Sequence, residues 1–256
     1  VRNLLVIGIG AGDPDYVTIQ AVKALNRVDV FFVLDKGEAK HDLVALRQEI
    51  LERHVERPYR VVHGRDPERD VRSGPYAEAV EDWRRRRADV CERMVLDELA
   101  DGECGAFLVW GDPSLYDSTL GIVEDIVTRG NVELDYEVVP GISSVSALAA
   151  RHRTVLNRVG GAFQVTTGRR VSEGLPEDVD DVAVMLDVRP MTRLPAQGVD
   201  VYWGAYVGTP DEVLVAGPLE QVAARIDAVR EEARARKGWI MDTYLLRRHV
   251  DGDARG

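Results

Sequence analysis

Two turns of the same make carry the chemistry this chain can do. Gly12-Asp13-Pro14 follows the apolar run 4–9, and Gly111-Asp112-Pro113 follows the apolar run 106–110. Each breaks the end of a strand with a glycine, a carboxylate and a proline ring. In α/β proteins ligands sit beyond the carboxyl ends of the strands, so two such turns in one domain point to two loops facing one crevice. The first turn lies in a glycine run, Gly8-Ile9-Gly10-Ala11-Gly12. A dinucleotide fingerprint wants a third glycine three residues after the second, where helix and strand close together. Asp13 stands there instead, a poor neighbour for a pyrophosphate. The run lets a backbone approach a ligand or a second domain; the competing reading is a tight strand-to-helix turn with no ligand.

Charge and composition exclude several classes. The net charge of −11 argues against a general nucleic-acid binder. Residues 138–172 nevertheless contain no Asp or Glu while holding Arg151, Arg153, Arg158, Arg169 and Arg170. That stretch is either a site for an anionic ligand or a solvated linker. Cys91 and Cys104 have no metal-ligand spacing and read as reduced thiols of a cytoplasmic protein. The histidines at 41, 54, 63, 152 and 249 form no ligand pair, so no metal is expected. No long uncharged apolar run marks a membrane span, and the early start of the first strand leaves no room for a signal peptide.

The elements that must position these loops alternate. Strands are expected at 4–8, 30–34, 59–62, 106–110 and 136–139. Between them come helices: one capped by Thr18 with Ile19, Val22 and Leu25 on its face, one capped by Asp42, a long one at 75–99, and one at 119–128. A short helix at 143–151 follows Pro140-Gly141. Alternation of this kind implies a parallel sheet covered on both faces. After Gly160-Gly161 the pattern changes to strands at 163–166, 182–186, 201–207, 213–216 and 240–246, with one clear helix at 219–235 carrying Val222, Ile226, Val229 and Ala233. The fold class is α/β in two domains, 1–157 and 158–256. Arg84, Arg85, Arg86 and Arg87 point in different directions on the long helix and read as a solvated face.

Four features in this order resemble one family: GIGAGDPDYVT from Gly8, WGDPSLYDST from Trp110, VVPGISSVSALAA from Val138, and the two-domain α/β layout. Together they are similar to the tetrapyrrole methylases across essentially the whole chain. The strings DLVALRQEIL from Asp42, YRVVHGRDPERD from Tyr59, the stretch 76–87 with Trp83, and GWIMDTYLLRR from Gly238 resemble its deacetylating branch.

The resemblance implies S-adenosylmethionine bound in a cleft between the two domains. It places Ala11, Gly111, Asp112, Leu115, Ser143 and Ser144 beside that cofactor from the first half of the chain. Leu186 would lie against the adenine, with Val207 and Gly238 as backbone contacts. The implied reaction is methylation of C-1 of precorrin-5 with loss of acetate, giving precorrin-6A in aerobic cobalamin biosynthesis. Methyl transfer needs in-line alignment more than a strong acid or base, but release of acetate would gain from a base near the attacking water. Asp13, Asp35 and Asp112 are the candidates; turn geometry competes for Asp13 and Asp112. The tetrapyrrole's carboxylate arms would be gripped by Arg151, Arg153 and Arg158, since Arg binds carboxylates in pairs. A homodimer is the implied assembly. Other readings stay open: a family member acting on a different precorrin, RNA or protein; a binding protein without turnover; and a nucleotide-dependent oxidoreductase, which the misplaced glycine disfavours.

Overall fold

A computed structural model describes residues 1–35, 41–67 and 76–249, with the backbone alone at 35, 41–43 and 76–77. The chain divides into two units, Val1–Ser143 and Ser144–Gly256. In the first unit the elements run β1 (Arg2–Gly8), α1 (Ile19–Leu25), β2 (Val30–Asp35), α2 (His41–His54), β3 (Arg60–Arg65), α3 (Tyr76–Glu98), β4 (Cys104–Val109), α4 (Thr119–Arg129) and β5 (Leu134–Val139). All pairings in the sheet, ordered β3-β2-β4-β1-β5, are parallel. Successive residues of β1 feed opposite faces: Leu4 and Val6 pack with α3 and α4, Leu5 and Ile7 with α1 and α2. A strand buried on both faces must be apolar throughout, which is why 4–7 reads as an unbroken run.

The neighbours β1 and β4 are aligned from Asn3 with Cys104 to Gly8 with Val109. β1 leads to α1 on one face and β4 leads to α4 on the other. Loops leaving adjacent strands for opposite faces open a crevice at the strand ends. Both glycine-aspartate-proline turns leave from this point, joined by a bridge between Gly10 and Gly111.

The second unit contains α5 (Ser144–His152), β6 (Phe163–Thr167), α6 (Gly168–Val171), β7 (Asp181–Met185), β8 (Val199–Ala205), β9 (Val213–Pro218), α7 (Leu219–Lys237) and β10 (Asp242–Arg248). Its sheet, β6-β7-β10-β8-β9, is mixed: β6 and β7 are parallel and the other pairs antiparallel. Trp203, Tyr244, Ile226 and Leu219 centre its core. Among the described residues no helix is long and apolar enough to cross a membrane.

Four details differ from the sequence expectations. The division falls ahead of α5, not after residue 157, because α5 packs on β8 and β10. On α1 the buried face is Ala21, Ala24 and Leu25, and Ile19 is exposed; the small alanines let the helix sit close to the sheet. Asp42 lies inside α2, not before it. Arg87 is no part of a solvated face. It is buried on α3, with Nε 2.8 Å from Asp66 and Nη1 donating to Ser118 Oγ at 2.6 Å, and its guanidinium lies over the Trp83 ring at 4.7 Å.

The exits of β1, β4 and β5 meet through glycine backbone. A Cβ on Gly8 would lie 2.6 Å from the Gly141 nitrogen and 2.9 Å from the Gly111 oxygen. We predict that Gly8→Ala costs about 1–3 kcal/mol of stability, the range for overpacking. Urea unfolding checks this, and a loss under about 0.5 kcal/mol would show that the strand ends tolerate separation.

Candidate functional site

The two turns fold alike because their sequences are alike. Asp13 Oδ1 accepts from the Asp15 amide at 2.9 Å, and the Asp13 carbonyl accepts from the Tyr16 amide at 2.9 Å. Asp112 Oδ1 accepts from the Ser114 amide at 2.8 Å, and its carbonyl accepts from the Leu115 amide at 3.2 Å. Each aspartate thus caps its own turn. Asp112 does more. Its Oδ2 accepts from the Gly141 amide at 2.9 Å, tying the exit of β4 to that of β5, and the Ser114 hydroxyl also donates to Oδ1. Partial burial pulls this carboxyl upward, but the bonds from the Ser114 side chain and the two amides outweigh it and hold it below the usual carboxylate range. A carboxylate so engaged is a staple and a weak base. Asp13 Oδ2 has no partner among the described residues, and the side chain of Asp35 lies outside them.

Around this staple the first unit gathers Ala11, Gly111, Leu115 and Ser143 at the carboxyl edge of its sheet. Ala11 is buried, while Leu115 and Ser143 are half-buried. Trp110, just before the second turn, keeps a buried indole N–H with no partner among the described residues. Ser144 opens α5 in the second unit.

The second unit presents its implied cofactor residues on strained or tightly tied backbone. Leu186 follows β7 directly with φ of 55° and is 66% exposed. A leucine in the left-handed region costs about 1–2 kcal/mol, so the surroundings must impose it. They do so through Asp187, which is buried and accepts from the Tyr244 hydroxyl at 2.6 Å and from the Arg189 amide at 3.0 Å. Burial and the Asp187 carboxylate push the Tyr244 phenol far up, which keeps it a donor. Val207 is buried and follows Tyr206, itself at φ 49°. The Tyr206 amide donates to Met241 O at 2.9 Å and its hydroxyl to Trp239 O at 2.7 Å. Gly238 is the left-handed cap of α7. The loops bearing Val207 and Gly238 are therefore bonded to one another.

Sequence reasoning missed the group beneath these loops. Arg230 of α7, 2% exposed, donates from Nε to Asp242 at 2.7 Å and from Nη1 to Arg189 O at 2.5 Å, with Nη2 4.0 Å from Asp187. Trp203 Nε1 also donates to Asp242, at 2.7 Å. The signal was available: Leu219, Ala223, Ile226, Arg230 and Ala233 are the buried stripe of α7, and an arginine in that register must find buried partners.

The three arginines expected to grip carboxylates separate in behaviour. Arg151 makes a two-pronged pair with Glu212, at 2.8 Å from Nε and 2.6 Å from Nη2. Arg158 is engaged with Asp181 through its amide and with Arg248 O through Nη2. Acids and carbonyls distant in sequence thus partner Arg151 and Arg158 of this acid-free stretch. Arg153 is exposed and forms no ion pair among the described residues. It sits at φ 54° and ends α5, its amide bonding Ala150 O while Thr154 N bonds Ala149 O, a Schellman cap where glycine is usual.

Asp112 should set an acid-side stability limit. Its depressed carboxyl adds stability that is complete above the unfolded value near ~3.9 and is lost as pH falls through the folded value. Asp112→Ala should lose about 1–3 kcal/mol at pH 7 by leaving the Gly141 amide unpaired, and the gap to wild type should narrow below about pH 4. A gap independent of pH in denaturant titrations would contradict the staple.

Comparison with known proteins follows this geometry. The family described as Tetrapyrrole (Corrin/Porphyrin) Methylases matches residues 3–223. A precorrin-6A synthase (deacetylating) of Sinorhizobium sp is 45% identical over 255 residues, covering 99% of this chain and 98% of that protein. A cobalamin synthesis related protein, CobF, of Corynebacterium diphtheriae has a crystal structure that superposes with a TM-score of 0.83 at 36% identity, covering 98% of this chain and 100% of that one. The uroporphyrin-III C-methyltransferase of Thermus thermophilus, solved in complex with S-adenosylhomocysteine, shares the fold at TM-score 0.57 and 17% identity, over 95% of this chain and 91% of that one. The chain belongs to the tetrapyrrole (corrin/porphyrin) methylase family.

Proposed function

We propose that this chain is an S-adenosylmethionine-dependent methyltransferase acting on C-1 of precorrin-5, with loss of acetate to give precorrin-6A in aerobic cobalamin biosynthesis. One observation carries the reading: the end-to-end similarity to the deacetylating synthase, without a gap in coverage at either unit. A cytoplasmic homodimer is the setting the resemblance implies.

The residues fit the donor. Ala11, Gly111, Leu115 and Ser143 lie at the carboxyl edge of the first sheet, and Trp110 adds an indole N–H with no partner among the described residues. In the second unit Leu186 and Val188 expose apolar side chains, at 66% and 79%, which suit the face of a purine ring. Val207 has its side chain buried, so only its backbone is offered. S-adenosylmethionine, when bound, supplies a methyl on a sulfonium. Ala11, Gly111, Asp112, Leu115, Ser143, Ser144, Leu186, Val207 and Gly238 are assigned to hold it. Their part is orientation: rigid loops fix the line along which a carbon nucleophile approaches.

For the release of acetate, the geometry favours Asp13 over Asp112 as the group that takes a proton from water. Asp112 is committed on both oxygens, whereas Asp13 Oδ2 has no partner among the described residues. Among the basic residues Arg153 is assigned the substrate's carboxylates, because Arg151 and Arg158 are already engaged.

Incubation with precorrin-5 and methyl-labelled donor should give one added methyl by mass and one equivalent of acetate. A methyl gained without acetate would move the chain to another member of the family. Asp112→Ala should weaken S-adenosylhomocysteine binding about tenfold by calorimetry; unchanged affinity would remove the second turn from the donor site. Arg153→Gly should relieve backbone strain and leave stability equal or up to about 1 kcal/mol higher, while tetrapyrrole affinity falls about tenfold, roughly 1.4 kcal/mol. Unchanged tetrapyrrole binding would release Arg153 from this role.

A further inference from the structure

The second unit contains a buried charge cluster that no catalytic step uses. Arg230 of α7 reaches three places: Asp242 at the start of β10, the Arg189 carbonyl in the loop after β7, and Asp187 in the same loop. Asp187, Arg230 and Asp242 are each nearly inaccessible. Tyr244 and Trp203 complete the cluster by donating to Asp187 and Asp242. Buried ion pairs of this kind add little net stability over apolar packing, so their value lies in fixing geometry.

What they fix is the loop geometry of the unit. Asp187 follows Leu186 directly, and a Cβ on Gly168 would come within 2.2 Å of the Asp187 carboxyl carbon. The carboxylate is therefore held against Gly168 by bonds from the Tyr244 hydroxyl and the Arg189 amide, with the Arg230 charge 4.0 Å away, and Leu186 is held in the left-handed region by the residue after it. On the other side Asp242 adjoins Met241, whose carbonyl receives the Tyr206 amide. Tyr206 is the second non-glycine residue with positive φ in this set, and it precedes Val207. One guanidinium thus bonds the loop that follows Leu186 and the residue next to the Met241 carbonyl that holds Tyr206. A lysine ammonium cannot replace it, since a single point charge has no planar fork to bond Asp242 and the Arg189 carbonyl together.

We propose that Arg230 is a positioning residue for donor binding, setting the conformations of the loops that carry Leu186 and Val207 without touching the donor. This rests on the assignment of those loops to S-adenosylmethionine. Two measurements on the full chain test it. The first is hydrogen exchange of the ligand-free protein, comparing wild type, Arg230→Lys and Ile226→Val. Ile226 is equally buried on the same helix and serves as a control for simple loss of packing. Arg230→Lys should raise exchange at 187–189 and 206–208 at least fivefold beyond any rise in Ile226→Val. The second is calorimetry with S-adenosylhomocysteine, where Arg230→Lys should weaken binding tenfold or more and Ile226→Val less than twofold. Should Arg230→Lys fail to fold, Tyr244→Phe removes one clamp on Asp187 without removing a charge, and binding should weaken three- to tenfold.

Equal effects of the Arg230 and Ile226 variants, or donor binding unchanged in Arg230→Lys or Tyr244→Phe, would overturn the positioning role while leaving the methyltransferase reading intact. Absence of S-adenosylhomocysteine binding by the wild type would overturn both.

Discussion

The first unit depends on a close approach of three backbones. β1, β4 and β5 are neighbours in a parallel sheet, and their exits carry Gly8, Gly111 and Gly141 into contact. A Cβ on Gly141 would lie 2.1 Å from the Gly111 oxygen, far inside any tolerated distance, so no other residue can stand there without moving a strand end. Glycine permits the approach but does not enforce it. Enforcement comes from Asp112, whose two oxygens bond its own turn and the Gly141 amide. The repeated turn at Asp13 shares the local geometry but has no reach to a second strand exit among the described residues. This is why the same three residues in sequence serve different ends in the two places.

Each unit then braces its loops with one buried arginine. Arg87 joins Asp66, just past β3, to Ser118, at the end of the loop that begins with the second turn. Arg230 joins the exit of β7 to the start of β10. Both guanidiniums come from a helix packed on the sheet and lie beside an aromatic ring, Trp83 and Tyr244. A buried charge is costly unless every partner is present, so such a site tolerates few alternative loop conformations. Apolar contacts would stabilise as well but would let the loops slide.

Much of this was legible in the sequence, and the reasons for the remainder are physical. Strand positions were readable because a strand buried on both sides has no polar residues to blur it; 4–7 and 30–34 are of that kind. The turns were readable because Gly, Asp and Pro each have one dominant backbone use. The buried face of α1 was misjudged because Ile19 is more apolar than Ala21, yet packing distance and not hydropathy chose the alanines. The partners within the basic stretch were not legible because charge pairing is a matter of space: Glu212 lies far along the chain from Arg151 but shares its unit. Arg87 was hidden in a run of arginines of which Arg85 is exposed and Arg84 and Arg86 are half-buried. Arg230 could have been found, standing as it does on the apolar stripe of α7.

A displacement at a methyl group makes modest demands on acids and bases and severe ones on alignment. The structure is consistent with that division of labour. Cys91 and Cys104 are buried, and burial pushes the Cys91 thiol up to about 12, which removes it as a nucleophile. Asp112 is spent on backbone. What the chain invests in is conformation: Leu186, Tyr206 and Arg153 stand in the left-handed region, where each is unfavourable by itself. Strain of this sort persists only where surrounding bonds over-determine it. At Leu186 those bonds are the ones that hold Asp187, at Tyr206 they run to the Met241 and Trp239 carbonyls, and at Arg153 they are the paired carbonyls that end α5. A turn that presents a leucine to solvent in a fixed conformation needs such bonds, since glycine would relax the turn and take away the exposed side chain.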